Sequence, residues 1–475
     1  MLFKPILSDD KNELTISGNM AGNEGGVGVG SLQLTQNDIL SHGVDIFEPT
    51  KQERAVLEGR EIMVRPTCLR SEGPFEFIVP SQGGTYMQMG SFRLWGKCRI
   101  RNPDVANGAL AADLVWAPVN LFPASLFRSI EVQLNGQPVA ELGSNIHHYK
   151  QYIETLLSYG YDARVGHLES SMFHMDTVEA FDTLQDNVGA LARAYPCREG
   201  RTFDWEMPVA SDFLQSDRYL PPGNNLTIKF NRNYDAFSLM CVGNHRLSIE
   251  FVDLKMFYRV LTLHPGVTAF HRAEWMERGR EIIIPFKRTQ LVTWNIPHNS
   301  LDAQCGPIFN GHMPNMIVVG MVDTVAFNGS YTTNPFNFKH NLCKKINVRY
   351  QGKSIPSEPY QPDFDNELFA REYNGLFQNT GIKISNDGNC INKSNFAGGC
   401  YLQAFDLTAD NCAGFHQHPP EDGSLYVEIE FARELTQGIT VIIYGVFDGE
   451  VRINSDKAAS THNLKKRPGL TNDNE

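Results

Sequence analysis

The sequence has neither a long apolar segment nor an excess of positive charge. No run among its 475 residues approaches the roughly 20 apolar residues of a membrane-spanning helix, so no membrane span is expected. Lysine and arginine number 42 against 54 aspartate and glutamate residues, and the formal net charge is −12. Proteins that bind the phosphate backbone of nucleic acids are usually basic, so we expect no strong direct binding of nucleic acid.

The cysteines lack the spacing of metal or redox motifs. There are nine, and no two form a Cys-x-x-Cys pair, so zinc-ribbon and thioredoxin-type sites are unsupported. The first residues, MLFKPILSDDKNE, hold an apolar run too short for a secretory signal, and Pro5 interrupts it. We therefore expect reduced, largely buried thiols in a protein made and kept in a reducing compartment.

Motifs for nucleotide binding or nucleophilic catalysis are also missing. The glycine-rich run GGVGVG at 25–30 follows no strand pattern and precedes no Gly-Lys-Ser/Thr. No Gly-x-Ser-x-Gly occurs, and no cysteine and histidine have a recognisable catalytic spacing. We predict no catalytic residues and no cofactor, and therefore no enzyme.

Short alternating segments are abundant and predict β-strands. Examples are PFEFIVP at Pro74–Pro80, FRLWGKCRI at Phe92–Ile100 and MIVVGMVDTVAF at Met316–Phe327. Few helices compete with them. The predicted helices are His147–Ser158, Asn366–Phe377 and Met175–Arg193. Tyrosines of the first helix, such as Tyr149 and Tyr152, are expected to pack in the core or at an intersubunit surface.

One strand and turn occur twice in the chain. The segment IEVQLNGQPV begins at Ile130, and INVRYQGKSI begins at Ile346. We expect the glycines of both segments in tight hairpin turns with positive φ. The same offset along the sequence aligns the pairs Phe122 and Phe338, Leu126 and Leu342, Arg128 and Lys344, Val132 and Val348, and Gly136 and Gly352.

The repeat implies an all-β protein in which one β-sandwich domain is present twice. We predict two jelly-roll β-sandwiches in tandem, a double jelly roll, with a few helices in long loops. The first would span 51–265 and the second 266–453. Residues 1–50 would form an arm that is flexible or ordered by a partner, and 454–475 a tail. Periodicity alone leaves a barrel or an immunoglobulin-like topology open.

Several segments resemble the major capsid proteins of Polinton/Maverick elements and adintoviruses. The opening DIFEPTKQERAVLEGREIMVRP, at 45–66, and GPFEFIVPSQGGTYMQM, at 73–89, are similar to the opening of those proteins. So are SIEVQLNGQPV, FNGSYTTNPFNFKHN and AFDLTADN further along the chain. The sequence departs from the family at 86–89, where Tyr-Met-Gln-Met stands in place of the common Tyr-Ile-Asp-Leu.

The resemblance implies a structural role. Such a chain would form homotrimers of pseudo-hexagonal outline that tile the icosahedral capsid of a double-stranded DNA virus or mobile element. Its partners would be neighbouring capsomers, penton proteins and minor capsid proteins. It would be located in the virion, after assembly in the nucleus or cytoplasm of a host cell.

Two other functions are compatible with jelly rolls. GFHQHPPE holds His416, His418 and Glu421, which is similar to the metal motif of cupins and suggests a bicupin-type metalloenzyme. The short spacing to Glu421 and the intervening prolines favour a polar loop instead, so no metal is predicted there. The third alternative is a receptor-binding or carbohydrate-binding module.

Overall fold

A computed structural model of the chain describes residues 52–463, apart from 71, 106, 112, 140–145, 244, 383–385, 413, 415 and 419–420. The predicted arm at 1–50, and the part of the predicted tail after residue 463, lie outside the described residues. The described residues from Val56 onward form one compact unit.

Strands make up the framework, and they are numbered here in chain order. In the first half they are β1 (Val56–Val64), β2 (Phe75–Val79), β3 (Tyr86–Arg101), β4 (Trp116–Pro118), β5 (Phe127–Leu134), β6 (Gln137–Pro138), β7 (Phe203–Pro208), β8 (Tyr219–Leu220), β9 (Leu226–Arg232), β10 (Leu239–Cys241) and β11 (Ser248–Leu263). In the second half they are β12 (Ile282–Ile296), β13 (Asp302–His312), β14 (Met316–Asp323), β15 (Cys343–Tyr350), β16 (Lys353–Tyr360), β17 (Leu402–Asp406), β18 (Asp422–Phe431), β19 (Ile439–Ile453) and β20 (Ala459–Asn463).

Short helices lie in the connections between strands. They are α1 (Phe122–Ser125), α2 (His147–Ser158), α3 (Tyr161–Arg164), α4 (Val188–Ala194), α5 (Asp235–Ser238), α6 (Pro265–Arg272), α7 (Thr324–Phe327), α8 (Ala370–Asn379) and α9 (Lys393–Ala397). A π-helical turn, Ala273–Glu277, continues α6.

Each half is a sandwich of two antiparallel sheets. In the first half one sheet has the order β1-β11-β3-β7, and the facing sheet has the order β2-β9-β5-β6. In the second half the orders are β12-β19-β14-β17 and β13-β18-β15-β16. Eight strands of each half correspond: β1, β2, β3, β5, β6, β7, β9 and β11 in the first half, and β12 to β19 in the second. When these strands are numbered one to eight along the chain, both halves have the order 1-8-3-6 in one sheet and 2-7-4-5 in the other. This is the jelly-roll order, which confirms the predicted double jelly roll and excludes the barrel and immunoglobulin-like alternatives.

The repeated hairpin is the same structure in both halves. The offset that aligns the two sequence segments also relates the first and last residues of β5 to those of β15, and each strand turns into the next through two residues. Gly136 and Gly352 both have φ of 80°, after Asn135 at 51° and Gln351 at 47°. Two consecutive positive φ values define the turn whose twist suits a hairpin. The prediction for the two glycines is confirmed.

Burial follows the alternation of the strands. Phe75, Phe77 and Val79 point into the first core, and the residues between them are exposed. β14 is buried along its whole length, because it lies between two strands and is covered on both faces. Continuous apolar runs such as MIVVGMV are the expected sequence of such a strand.

The helices agree less well with their predicted bounds. α2 spans the predicted His147–Ser158. α8 begins four residues later than predicted, because Glu367 has φ of 57° and the chain before it forms a tight loop. Of the predicted helix Met175–Arg193, only α4 forms, starting after the Asn187 side chain accepts a hydrogen bond from the Ala190 amide.

The tail begins as a strand. β20, at residues 459–463, pairs antiparallel with β19 and extends the sheet β12-β19-β14-β17. None of the helices in the described part of the chain is both long enough and apolar enough to span a bilayer.

Candidate assembly surfaces and candidate metal centre

Helix α2 belongs to the first half by sequence and packs against residues of both halves. It lies in the long connection from β6 to β7, yet its tyrosines enter the second core. The Tyr152 ring stacks on Phe336 at 4.2 Å between centroids, and Tyr149 stacks on Phe327 at 5.6 Å. Both tyrosines are fully buried. The two jelly rolls therefore share an aromatic cluster, and the core interpretation of these tyrosines is the one the structure supports.

A buried ion pair reinforces this junction. The Lys150 ammonium group on α2 pairs with the Asp212 carboxylate. Asp212 also accepts hydrogen bonds from the Thr289 amide at 2.7 Å and the Thr289 hydroxyl at 2.9 Å, and Thr289 lies on β12 of the second half. All three side chains are buried. Hydrogen bonds to ionised groups are strong and directional, so they fix one orientation of the two halves.

A second buried network crosses the same boundary. The Arg193 guanidinium is completely buried, donates to the Pro118 carbonyl at 2.9 Å and pairs with Asp176 at 2.6 Å. The other carboxylate oxygen of Asp176 accepts from the Asn334 amide group at 3.2 Å. Loss of one member of such a pair leaves an uncompensated buried charge, which costs about 3–5 kcal/mol.

Burial also controls the titratable groups around this junction. It lowers the pKa of both His147 and His148 to about 3, with a smaller contribution to His147 from the nearby Lys150 charge. Burial likewise raises the pKa of the Cys98 and Cys343 thiols to about 12. Eight of the nine cysteines are buried and all are free, as expected. The protonated thiols of Cys98 and Cys343 are therefore poor nucleophiles.

An apolar surface faces solvent in the connection between β6 and β7. Val188 and Leu191 on α4, with Tyr195 just beyond it, are spaced i, i+3 and i+7 and therefore share one face. Their exposed fractions are 71%, 52% and 65%. Large apolar side chains grouped on one exposed face mark interaction sites. We call these three residues the α4 surface.

The predicted metal candidates separate in the structure. His416 and His418 lie in the loop between β17 and β18, not on a strand, so they do not form the cupin arrangement that the motif suggested. Glu421 accepts a hydrogen bond from the Tyr350 hydroxyl and is not among the residues whose donor atoms converge with the two histidines. The adjoining Pro419 and Pro420 lie outside the described residues.

The two histidines instead converge on residues that the motif did not include. The Nε2 atoms of His416 and His418 lie 2.9 Å and 3.0 Å from the two carboxylate oxygens of Asp410. The Cys412 sulfur is 3.9 Å from the Nε2 atom of His418. The four donor atoms all lie within 4.8 Å of one another. In the sequence these four residues form the pattern Asp-x-Cys-x-x-x-His-x-His. This pattern contains no Cys-x-x-Cys pair, so a search for such pairs does not find it.

Comparison with known proteins gives a sequence relative and several structural neighbours. No family model matches the chain. An uncharacterized protein of Caenorhabditis elegans is 25% identical over 327 residues, which cover 67% of this chain and 76% of the relative.

The structural neighbours are virus proteins. A chain of the Sputnik virophage structure matches with a TM-score of 0.58 at 13% identity, over 92% of this chain and 97% of that one. The mavirus major capsid protein matches with a TM-score of 0.51 at 8% identity, over 95% and 98%. The Faustovirus major capsid protein matches with 0.52 at 10% identity, over 87% and 92%. At these sequence identities the structural likeness establishes the fold alone. The matched region includes both halves and nearly the whole chain.

Proposed function

We propose that the chain is a major capsid protein that self-assembles through pseudo-hexagonal trimers into the icosahedral shell of a double-stranded DNA virus or virus-like mobile element. The observation that carries this proposal is the duplicated jelly roll, with one strand order in both halves and a hairpin repeated at the same place in each. The fold likeness to two major capsid proteins, over at least 87% of this chain, supports it.

The duplication has a physical purpose in such a shell. Three chains of two similar domains give a three-fold object with six similar lobes, which can meet six neighbours through nearly equivalent edges. That geometry requires the two domains of each chain to keep a fixed orientation. The shared aromatic cluster, together with the hydrogen bonds of Asp212 to Thr289 and of Asp176 to Asn334, joins the two domains and supports such a fixed orientation. Closed symmetric assembly through repeated surfaces is the usual route to stable oligomers.

The Polinton/Maverick and adintovirus lineage is part of the proposal. Its support is the set of segments at 45–66, 73–89 and 404–411 that resemble those capsid proteins. Partners would then be neighbouring capsomers, penton and minor capsid proteins, and the location would be the virion. Genes for other virion proteins beside this one would support the lineage, and isolation among unrelated host genes would oppose it.

The proposed role is structural and involves no reaction. Burial keeps the thiols of the two cores protonated. The histidine pair lies in a loop between strands and not inside a sandwich, where a cupin would hold its metal. These observations favour the capsid over a bicupin-type metalloenzyme.

The oligomeric state in solution tests the proposal. Size-exclusion chromatography with light scattering should give three times the chain mass of 53.4 kDa, or larger multiples of that trimer. A monomer that persists at every concentration would contradict the capsid role.

A surface variant locates the contact. Because the α4 surface is apolar and exposed, Val188→Glu with Leu191→Glu should dissociate the assembly to folded monomers if this surface meets a neighbouring chain. The matched control is Val105→Glu, a similar change at an exposed valine in the β3–β4 connection. An intact trimer in the double variant would move the contact to another surface and leave the trimer itself in place.

A further inference from the structure

The loop between β17 and β18 brings four metal-ligating side chains together. It contributes a carboxylate from Asp410, a thiol from Cys412 and imidazoles from His416 and His418. Cys412 is buried and His418 has a side-chain exposure of only 19%, whereas Asp410 and His416 are exposed at 44% and 61%. The cluster is therefore buried at Cys412, partly buried at His418 and open to solvent at Asp410 and His416.

The spacing of the donor atoms suits a tetrahedral ion. Zinc bonds of about 2.0–2.3 Å place neighbouring ligand atoms about 3.3–3.8 Å apart. Here the Nε2 atoms of His416 and His418 lie 2.9 Å and 3.0 Å from different oxygens of the Asp410 carboxylate, and the Nε2 atom of His418 lies 3.9 Å from the Cys412 sulfur. With one donor atom taken from each residue, no pair is more than 4.8 Å apart. The largest separation therefore exceeds the tetrahedral range by about 1 Å. A thiolate with two imidazoles and a carboxylate is a donor set that borderline-soft dications such as Zn²⁺ prefer.

The orientation of the rings points to a common centre. The two imidazoles are stacked, with 4.6 Å between centroids and 26° between planes, and both turn Nε2 toward the same carboxylate. His418 also turns this atom toward the Cys412 sulfur. A metal site requires donors that face one point, and the four donor atoms lie within 4.8 Å of one another.

The remainder of the loop holds two of the ligands in place. Asp406, the last residue of β17, accepts hydrogen bonds from the amide and hydroxyl of Thr408 at 2.9 Å and 2.6 Å. The Thr408 hydroxyl in turn accepts from the Cys412 amide at 3.0 Å, and Asp410 accepts from the same amide at 3.2 Å. Such supporting contacts orient metal ligands, and their loss typically weakens binding about 10–100-fold. The cluster is therefore anchored to the sheet.

We propose that Asp410, Cys412, His416 and His418 form a binding site for one Zn²⁺ ion, or a similar transition-metal dication, that closes the β17–β18 loop of the second jelly roll. The equivalent loop of the first jelly roll, at 209–225 between β7 and β9, contains neither cysteine nor histidine. The site thus has no counterpart in that loop and distinguishes the two jelly rolls. It does not depend on the proposed capsid function, because all its ligands come from one loop of one chain.

Cobalt substitution tests the site directly. The full-length chain, freed of metal with a chelator, should bind one equivalent of Co²⁺ with the visible bands of a tetrahedral ion and a thiolate-to-cobalt charge-transfer band. One equivalent of Zn²⁺ should abolish both signals by competition. Cys412→Ser should lose the charge-transfer band, and His416→Gln with His418→Gln should weaken binding by more than about 10-fold.

Matched controls separate this set from other possibilities. Cys68→Ser removes the exposed thiol and should leave the charge-transfer band unchanged. Glu421→Gln removes the carboxylate of the cupin-like motif and should leave the affinity unchanged, because Glu421 contacts Tyr350. Thr408→Ala should retain the spectrum with weaker binding. The proposal is wrong if metal-free protein takes up no stoichiometric metal, if Cys412→Ser keeps the thiolate band, or if Glu421→Gln abolishes binding.

Discussion

Single residues show most clearly that the two halves are copies of one domain. Gly136 and Gly352 have the same φ and occupy the same position in the two matching hairpins. The sequence was sufficient to predict both turns, because a glycine after an alternating strand has a local physical cause. The Asp410 cluster was only half visible, because its members come together through the course of a loop and follow no strand or helix period.

The two glycines should respond equally to alanine. In both turns a Cβ would have open space, so the only penalty is the left-handed backbone, about 1–2 kcal/mol for a residue with a side chain. Gly136→Ala and Gly352→Ala should each lower the free energy of unfolding by that amount in urea denaturation. Gly83→Ala is the control, since Gly83 has open space and no positive φ. If Gly136→Ala or Gly352→Ala were as stable as Gly83→Ala, the glycine concerned would not have the positive φ described here.

The two buried histidines should make the protein sensitive to acid. Their pKa is about 3 in the folded protein against 6.5 for the ordinary group, so below pH 6.5 the unfolded chain binds protons that the folded chain does not. The free energy of unfolding should therefore fall as the pH drops from about 6.5 toward 3. Burial raises the pKa of Glu154 to about 6, which has the opposite effect between pH 6 and 4.5.

A variant isolates the contribution of the histidines from that of Glu154. His147→Gln with His148→Gln should reduce the slope of unfolding free energy against pH in this window, whatever its effect on stability at pH 7. His298→Gln, at an exposed position, should keep the slope of the parent protein. An unchanged slope in the double variant would show that the two histidines are not buried as described.

Strands and helices differ in how well the sequence predicts them. Strand segments such as 74–80 and 92–100 alternate because one face is buried, and each contains or lies within an observed strand. The predicted strand at 316–327 ends early, since Asp323 leads into α7. Within 175–193 the side chains of Asp182 and Asn187 accept hydrogen bonds from backbone amides outside a helix. Such bonds compete with helix formation, and the hydrophobic pattern of the sequence does not reveal them.

Helix α2 should depend on the second jelly roll for its stability. Tyr149 is fully buried among Phe237, Phe327, Phe336 and Phe338. Tyr149→Ala should cost about 3–5 kcal/mol, as for other large aromatic side chains removed from a core. No described residue bonds to the Tyr149 hydroxyl, so Tyr149→Phe should be neutral or stabilising. Denaturation of both variants measures the difference, and equal losses would contradict this packing.

At the scale of the whole molecule, the sequence predicts the number and kind of domains better than their junction. The repeat and the jelly-roll class follow from patterns local to each half. The way the halves join does not, because α2 packs against aromatic residues of both halves, and the buried Asp176 carboxylate finds a partner far away in sequence, at Asn334. A rigid pair of jelly rolls is the unit from which a pseudo-hexagonal trimer can be built.

Electron microscopy of the purified full-length chain in negative stain is the most direct test of that assembly. If the chain is a capsid protein of this kind, the particles will be three-fold symmetric capsomers with six lobes, two from each chain, alone or tiled into curved sheets and shells. Two-lobed particles the size of a single chain, at every concentration tried, would contradict it.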